Sequence, residues 1–279
     1  MGDHFGMRTA IVTLAKDEDF YAEEWLDYHF RLGVDDIWLF QHDGWRYKGR
    51  RFSGLHYCEA GWNCQQRDLL NDWLRIYRKE YDWVLFIDLD EFVCLKNGEN
   101  DIKTFLNRFD DCNGVCLNWR LFGDSGLSEG ENHCVLERFT RCEPGLSIWV
   151  KCALHTSRAP EDSWLADVHS LMVGTDIRKT IVVVPKVSNT SKLHCQTQLS
   201  LNQCDLSECL SSAYLAHFRV KTHQEYLRRV ARNARYWNLS SAKEVEAVER
   251  KFNEFNHNEV EELALLNFQR TGRFLLDSK

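Results

Sequence analysis

An apolar run in the first third of the sequence ends in a cluster of carboxylates. Residues 83–93 read WVLFIDLDEFV, so Asp88 and Asp90 are separated by one residue and Glu91 follows directly. If strand geometry continues through the motif, Asp88 and Asp90 project to one face, because side chains alternate along a strand. Paired carboxylates suit Mg²⁺ or Mn²⁺, with water and phosphate oxygens completing the shell. The motif predicts a metal site that neutralises a diphosphate leaving group.

The Asp-x-Asp motif is not specific by itself, because it also arises by chance in chains of this length. A solvated junction between a strand and a turn is the simpler alternative. The position of the motif directly after the apolar run WVLFI, together with Glu91, Phe92 and Val93 beside it, favours the metal site.

The surrounding elements place this motif at one edge of a sheet. Apolar runs and helical periodicities alternate along residues 8–119, and Tyr21, Trp25, Tyr28 and Leu32 mark one helix that ends at Gly33. This order predicts an α/β fold, a mixed and mostly parallel sheet flanked by helices. Ligands bind outside the carboxyl ends of the strands in such sheets, and the motif follows one of these ends.

Composition narrows the class of protein. The 279 residues carry a net charge of −7, which argues against a dedicated nucleic-acid binder. No apolar stretch approaches the ~20 residues of a membrane span, and no signal peptide is evident. The eleven cysteines include no Cys-x-x-Cys pair, which favours reduced thiols over a zinc site. We therefore predict a cytoplasmic protein without a transmembrane segment, and this allows peripheral association with a membrane.

Four segments carry a resemblance to a known family. They are KDEDFYAEEWLDYHFRLGVDDIWLFQHD (16–43), DWVLFIDLDEF (82–92), NWRLFGDSG (118–126) and AHFRVKTHQEYLRRVARN (216–233). In order and spacing they resemble the glycosyltransferase family 2-like and family 92 enzymes.

The resemblance has consequences for architecture and activity. It implies a GT-A domain, Rossmann-like and nucleotide-sugar-binding, over residues 1–220, with a helical C-terminal extension over residues 221–279. It also implies metal-dependent transfer of a sugar, with inversion, from a nucleotide-sugar donor, usually a UDP-sugar. The implied acceptor is a glycan or a lipid-linked glycan.

The resemblance also implies roles for individual residues. Asp88 and Asp90 would bind the metal and the donor phosphates, Glu18 and Asp43 would lie near the nucleoside, and Lys151 would contact phosphate. Each of the last three has a structural alternative. Glu18 suits a helix cap, Asp43 a turn before a glycine, and Lys151 the edge of a sheet.

Two histidines compete for a place in the metal shell. His217 stands at the family's His-aromatic position, and His169 in DVHS is the other candidate. Neutral imidazole is a suitable ligand for Mn²⁺. The alternative for each histidine is a purely structural role.

A basic segment follows His217. Residues 219–235 read RVKTHQEYLRRVARNAR within an otherwise acidic chain. We predict that Lys221 and Arg228 lie near the donor diphosphate or an anionic acceptor, with the other cations in solvent. Tyr226, Leu227 and Val230 are predicted to face inward.

Inverting transfer needs a general base on the face of the sugar opposite the leaving group. The candidates are Asp124, Asp162 and Asp167, and the sequence does not choose among them. Asp124 lies between two glycines, so a plain turn is its alternative role.

Two other classes of function use similar residues. A metal-dependent phosphohydrolase or nucleotidyltransferase would also use paired aspartates, although the sequence lacks the Gly-x-x-x-x-Gly-Lys phosphate loop. A non-catalytic module that binds a nucleotide or a glycan is the other alternative.

Overall fold

The computed structural model describes most of the chain as alternating strands and helices. The described ranges are 6–16, 21–42, 44–61, 64–96, 98–129, 134–147, 149–172, 181–183, 192–193, 210–232 and 242–274. The strands are β1 (Thr9–Ala15), β2 (Asp36–Gln41), β3 (Leu55–Glu59), β4 (Trp83–Phe86), β5 (Glu91–Leu95), β6 (Gly114–Leu121), β7 (Arg141–Cys142), β8 (Val150–His155), β9 (Trp164–Asp167), β10 (Ser170–Met172), β11 (Ile181–Val183), β12 (Lys192–Leu193), β13 (Ala213–His217) and β14 (Val260–Glu261). The helices are α1 (Ala22–Arg31), α2 (Gln66–Tyr77), α3 (Ile102–Asn107), α4 (Val135–Arg138), α5 (His223–Arg232), α6 (Ala242–Phe255) and α7 (Ala264–Thr271).

The main sheet is mixed and mostly parallel. Its strand order is β3-β2-β1-β4-β8-β6-β13-β5, and β11 also pairs with β6. Strands β1 to β4 run parallel to one another, and β6 runs parallel to β11 and β13. Strand β8 is antiparallel to β4 and β6, and β5 is antiparallel to β13. The predicted α/β fold is confirmed.

Helix α1 is anchored under the start of β5 by its aromatic face. Trp25 and Tyr28 are buried, as the periodicity predicts, and both also donate hydrogen bonds. Trp25 Nε1 donates to Glu91 O at 2.7 Å, and Tyr28 Oη donates to Val93 O at 2.6 Å. The helix ends before Gly33, whose φ of 96° is readily adopted only by glycine. These contacts hold the backbone that follows the Asp-x-Asp motif.

The residues beyond position 220 belong to two packing clusters. Helices α5 and α6 form a small cluster of their own, made of Val220, Tyr226, Val230, Val248 and Phe252. Helix α7 instead packs into the main core, and β14 pairs with β7. The division into residues 1–220 and 221–279 stays a prediction.

One side chain of α5 differs from the prediction. Leu227 is 37% exposed, whereas Tyr226 and Val230 are buried. Tyr226 and Val230 are four residues apart and share a helical face, whereas Leu227 is rotated about 100° from Tyr226. Leu227 therefore lies beside the buried stripe rather than in it.

Among the described residues, no helix is both long enough and apolar enough to cross a bilayer.

Candidate functional site

The Asp-x-Asp motif lies in a turn rather than on a continuing strand. Strand β4 ends at Phe86, and Glu91 N donates to Asp88 O at 3.1 Å. Strand geometry therefore does not continue through the motif, so the condition for strand alternation to direct the two aspartates to one face is not met. After the turn, β5 begins at Glu91 directly opposite His217, the last residue of β13. The carboxyl ends of β4, β6 and β13 together form what we call the site edge.

Asp88 is held by two side chains from neighbouring elements. Lys151 Nζ lies 2.7 Å from Asp88 Oδ2, and Gln66 Nε2 donates to Asp88 Oδ1 at 2.8 Å. Lys151 is 2% exposed and lies on β8, between β4 and β6. The alternative of a sheet-edge lysine is therefore wrong. Burial disfavours both charges, but each stabilises the other, which raises the pKa of Lys151 and lowers the pKa of Asp88.

Glu91 is a buried third carboxylate that was not assigned a role from the sequence. It is fully buried, and its Oε2 accepts a 2.7 Å hydrogen bond from Asp88 N. Its Oε1 has no hydrogen-bond partner among the described residues and lies 3.9 Å from Lys151 Nζ. Burial raises the pKa of Glu91 well above its ordinary value, although Lys151 acts in the opposite direction. The signal in the sequence was the third acid in DLDE.

Asp90 is paired with a cation from helix α5. Arg229 Nη1 lies 3.0 Å from Asp90 Oδ2, and His217 Nε2 lies 3.6 Å from Asp90 Oδ1. Burial alone would raise the pKa of Asp90, but Arg229 above all holds it well below its ordinary value. The predicted Arg228 is exposed, and the α5 arginine that pairs with Asp90 is its neighbour Arg229.

The two candidate histidines contact the same tryptophan. The Trp119 ring centroid is 4.1 Å from that of His217 and 5.0 Å from that of His169. Trp119 Nε1 and His217 Nδ1 are buried without a hydrogen-bond partner among the described residues. Burial lowers the pKa of both histidines, that of His169 to about 4 with a further contribution from Lys151. Both imidazoles are therefore neutral at pH 7, the form that binds metals.

Lys221 lies at the start of α5 with its side chain buried. Its backbone φ is 56°, and its Nζ lies 4.5 Å from the Tyr21 ring centroid. Its positive charge contributes to the lowered pKa of Asp90. The structure thus brings Lys221 to the site edge.

Helix α5 is fixed in place by its N-terminal cap. Glu225 N donates to Thr222 Oγ1 at 3.2 Å, and Thr222 N donates to Glu225 Oε2 at 3.1 Å, which is a capping box. Arg138 of α4 then forms a two-pronged ion pair with Glu225 at 2.9 and 2.6 Å. The position of Arg229 one turn later depends on this cap.

Two of the three base candidates lie near the carboxyl ends of strands. Asp124 follows β6, and its carboxylate accepts hydrogen bonds from Asn256 at 2.9 Å, Asn258 at 3.0 Å and Gly126 N at 2.8 Å. Asp167 is half-buried at the end of β9 and accepts from His169 N at 2.7 Å. Asp124 therefore stabilises a turn. Asp167 lies beside His169, whose ring contacts Trp119.

Asp162 lies elsewhere. It is exposed in the loop before β9, where it lines a surface pocket of about 450 Å³ together with Arg78 and Trp164. This loop follows the carboxyl end of β8, which pairs with the amino end of β4. Asp162 is thus at the opposite edge of the sheet from Asp88 and Asp90.

Two candidate donor-binding residues cannot be placed. Glu18 and Asp43 lie outside the described residues.

The residues present fit a metal that is shared with a substrate. No group of three or more His, Cys, Asp or Glu side chains among the described residues is arranged as a complete metal cage. Mg²⁺ commonly binds through one or two carboxylates with substrate phosphates completing the shell, and Asp88 and Asp90 provide two. Neutral His217 lies beside the second of them.

Several solved structures are distantly similar to this chain. HddC from Yersinia pseudotuberculosis superposes with a TM-score of 0.33 at 9% identity, covering 55% of this chain and 78% of that one. Its complex with GMP-PN gives a TM-score of 0.35 at 11% identity, covering 70% and 98%. A UDP-glucose pyrophosphorylase complexed with UDP-glucose gives 0.32 at 8% identity, covering 76% and 90%.

Sequence comparison is more informative. A search of curated proteins finds no match. The family model of glycosyltransferase family 92 matches residues 64–267, which include Asp88, Asp90, Lys151 and His217. This match spans most of the chain and confirms the predicted resemblance. The chain therefore belongs to glycosyltransferase family 92 and is a glycosyltransferase.

Proposed function

We propose that this enzyme transfers a sugar, with inversion and with help from Mn²⁺ or Mg²⁺, from a nucleotide-sugar donor to a hydroxyl group. The donor is expected to be a UDP-sugar and the acceptor a glycan or a glycolipid. The observation that carries the proposal is the pairing of Asp88 with Lys151 and of Asp90 with Arg229 at the site edge. Membership of family 92 removes the phosphohydrolase, nucleotidyltransferase and binding-module alternatives.

Asp88 and Asp90 are the proposed metal ligands. The cation, together with the donor phosphates, would neutralise the negative charge that develops on the leaving diphosphate. His217 is the proposed third ligand, because its imidazole is neutral and its Nε2 is directed at Asp90. His169 has other contacts, since its Nδ1 lies 3.2 Å from Val150 O and its ring contacts Trp119.

The two cations have different proposed roles. Lys151 is buried on a central strand and compensates the charge of Asp88 and Glu91, so it holds the motif in place. Arg229 is half-exposed on helix α5, and its side chain has the length to contact a donor phosphate while Asp90 binds the metal. A planar guanidinium pairs with phosphate through two parallel hydrogen bonds. Lys221 adds positive charge to the same edge.

We propose Asp167 as the general base among the three candidates. It is half-buried and adjoins His169, whereas Asp162 lies at the opposite edge and Asp124 already accepts several hydrogen bonds in its turn. The base would accept the proton of the acceptor hydroxyl while the anomeric carbon is attacked in line with the departing diphosphate.

The first test is donor binding. We expect one class of nucleotide-sugar to raise the melting temperature in the presence of Mn²⁺, because a ligand that binds only the native state stabilises it by mass action. A chelator should abolish that shift. A donor shift that persists unchanged with the chelator would refute the metal-dependent part of the proposal.

The second test is transfer by matched aspartate variants. Asp90→Asn should lower kcat/KM by about 100-fold or more while leaving the melting temperature near that of the wild type. Asp162→Asn should leave both unchanged, and Asp167→Asn should lower kcat with little effect on donor binding. Full activity in Asp90→Asn would refute the assigned site, and loss of activity only in Asp162→Asn would move the base to the other edge.

A further inference from the structure

Two cysteines face each other across neighbouring strands directly beneath the site edge. Cys116 on β6 and Cys152 on β8 are directly paired residues in the antiparallel ladder. Both are buried, and their Sγ atoms lie 2.8 Å apart. No proposed step of the transfer reaction uses either of them.

The backbone geometry at this position suits a disulfide. Directly opposed residues of antiparallel strands have Cα atoms about 4.5 or 5.5 Å apart, depending on the type of pair. Disulfides span Cα separations of about 4.4 to 6.8 Å, so either type is compatible with a bond. The two sulfurs are already closer than two unbonded thiols normally pack, and a bond of about 2.05 Å requires only a small rotation of the side chains.

We propose that Cys116 and Cys152 form a structural cross-strand disulfide when the chain folds in an oxidising environment. One thiolate attacks the disulfide of oxidised glutathione, giving a mixed disulfide and releasing one glutathione thiol. The second thiolate then attacks the protein sulfur and displaces the other glutathione thiol. The two protein thiols lose two electrons and two protons, and one glutathione disulfide becomes two glutathione thiols. The exchange takes place before β6 and β8 are covered.

The position of the pair gives the bond a structural consequence. Cys152 follows Lys151, and its Sγ lies 3.7 Å from His169 O. A bond to Cys116 secures the register of β8 on β6, which places Lys151 next to Asp88. The disulfide departs from the reduced state expected from the cysteine spacing. It does not depend on the proposed donor, metal or base.

Peptide mapping tests the bond directly. The full chain is refolded in a glutathione redox buffer, denatured with an alkylating agent and digested without reductant. We expect mass spectrometry to find one peptide pair joined through Cys116 and Cys152 that separates on reduction. Alkylation of both residues, or a bond from either one to a different cysteine, would overturn the proposal.

Thermal unfolding provides a second readout. Protein refolded in oxidising buffer should melt on the order of 5 °C above protein refolded in reducing buffer, because the cross-link limits the unfolded chain. The double variant Cys116→Ala/Cys152→Ala should lose this difference. Cys142→Ala, which removes another buried thiol, should keep it. An equal difference in the double variant would refute the disulfide as its cause.

Discussion

Charged residues lie at both edges of the main sheet, but they are used differently. At the site edge, Asp88 and Asp90 pair with the side chains of Lys151 and Arg229 from other elements. At the opposite edge, formed by the amino ends of β1 and β4 and the carboxyl end of β8, charges form ion pairs and also bind the backbone extensively. Arg78, for example, donates to four carbonyls of the loop 156–161 at 2.9 to 3.0 Å.

Acids of the opposite edge also bind backbone groups, in addition to ion pairs such as that of Asp35 with Lys103 at 2.6 Å. Asp82 accepts from Arg8 N at 2.7 Å, and Asp35 accepts from Thr9 N at 2.8 Å. A charge that satisfies backbone groups stabilises the fold and has little freedom to bind a ligand. A carboxylate balanced by a side-chain cation can exchange that cation for another. We therefore interpret the opposite edge, where Arg78, Asp82 and Asp35 bind backbone groups, as mainly structural.

Breaking the buried pair at the site edge should have the largest effect. Lys151→Met leaves Asp88 and Glu91 without their buried cation, so we expect a loss of about 3 kcal/mol in unfolding free energy together with loss of transfer. Urea denaturation and a transfer assay measure the two. The control Lys79→Met removes an exposed lysine paired with exposed Glu161 and should change neither. Wild-type stability in Lys151→Met would contradict the assigned role.

Removing the hydrogen bonds of Arg78 at the opposite edge should lower the unfolding free energy without lowering kcat. Arg78→Ala leaves four carbonyls without their donor, and we expect a loss of about 2 kcal/mol in unfolding free energy with kcat of the folded enzyme unchanged. Arg75→Ala on the exposed face of α2 is the control and should have little effect on stability. Loss of kcat in a stably folded Arg78→Ala would show that the two edges are not separate in function.

The cap of α5 should make stability depend on pH. Hydrogen bonds from Arg138, Thr222 and Tyr21 outweigh burial and lower the pKa of Glu225 to about 2. The unfolded chain, with a carboxyl pKa of about 4.3, binds this proton first, so the contribution of Glu225 is lost as the pH falls from about 5 to 2. Between pH 5 and 2, we expect the unfolding free energy of Glu225→Gln to change by about 2 kcal/mol less than that of the wild type.

A double-mutant comparison tests whether Arg138 is the ion-pair partner of Glu225. Arg138→Met should reduce the pH dependence of the unfolding free energy over the same range. Combining it with Glu225→Gln should add little, because each substitution removes the same ion pair. An unchanged pH profile in Glu225→Gln would mean that the cap does not support α5 in this way.

The smallest effect is expected for substitutions of two neighbouring arginines of α5. Arg229→Ala should raise the KM for the donor about tenfold, which corresponds to ~1.4 kcal/mol, because it removes the cation next to Asp90. Arg228→Ala removes an exposed arginine one residue away and should leave KM unchanged. Equal effects of the two variants would indicate a diffuse electrostatic role rather than a specific contact.

Much of the fold could be predicted because its signals are local. Apolar runs and the spacing of aromatic residues predicted alternating strands and helices along residues 8–119, a helix that ends at Gly33 and a strand before Asp88, as observed. Strand β3 was missed because its residues are half-exposed and form no apolar run. The Asp-x-Asp motif was found because its meaning depends only on the strand that precedes it.

What the sequence determined by itself was the order of strands and helices, the motif at the end of β4 and the family. Only the tertiary structure decided that β8 lies between β4 and β6, which changes Lys151 from a sheet-edge residue into the buried partner of Asp88. It also decided that Arg229, not Arg228, contacts Asp90 and that Asp162 lies at the edge of the sheet opposite Asp88 and Asp90. The physical reason is that strand adjacency and helix orientation arise from contacts between residues far apart in the chain, which local periodicity does not record.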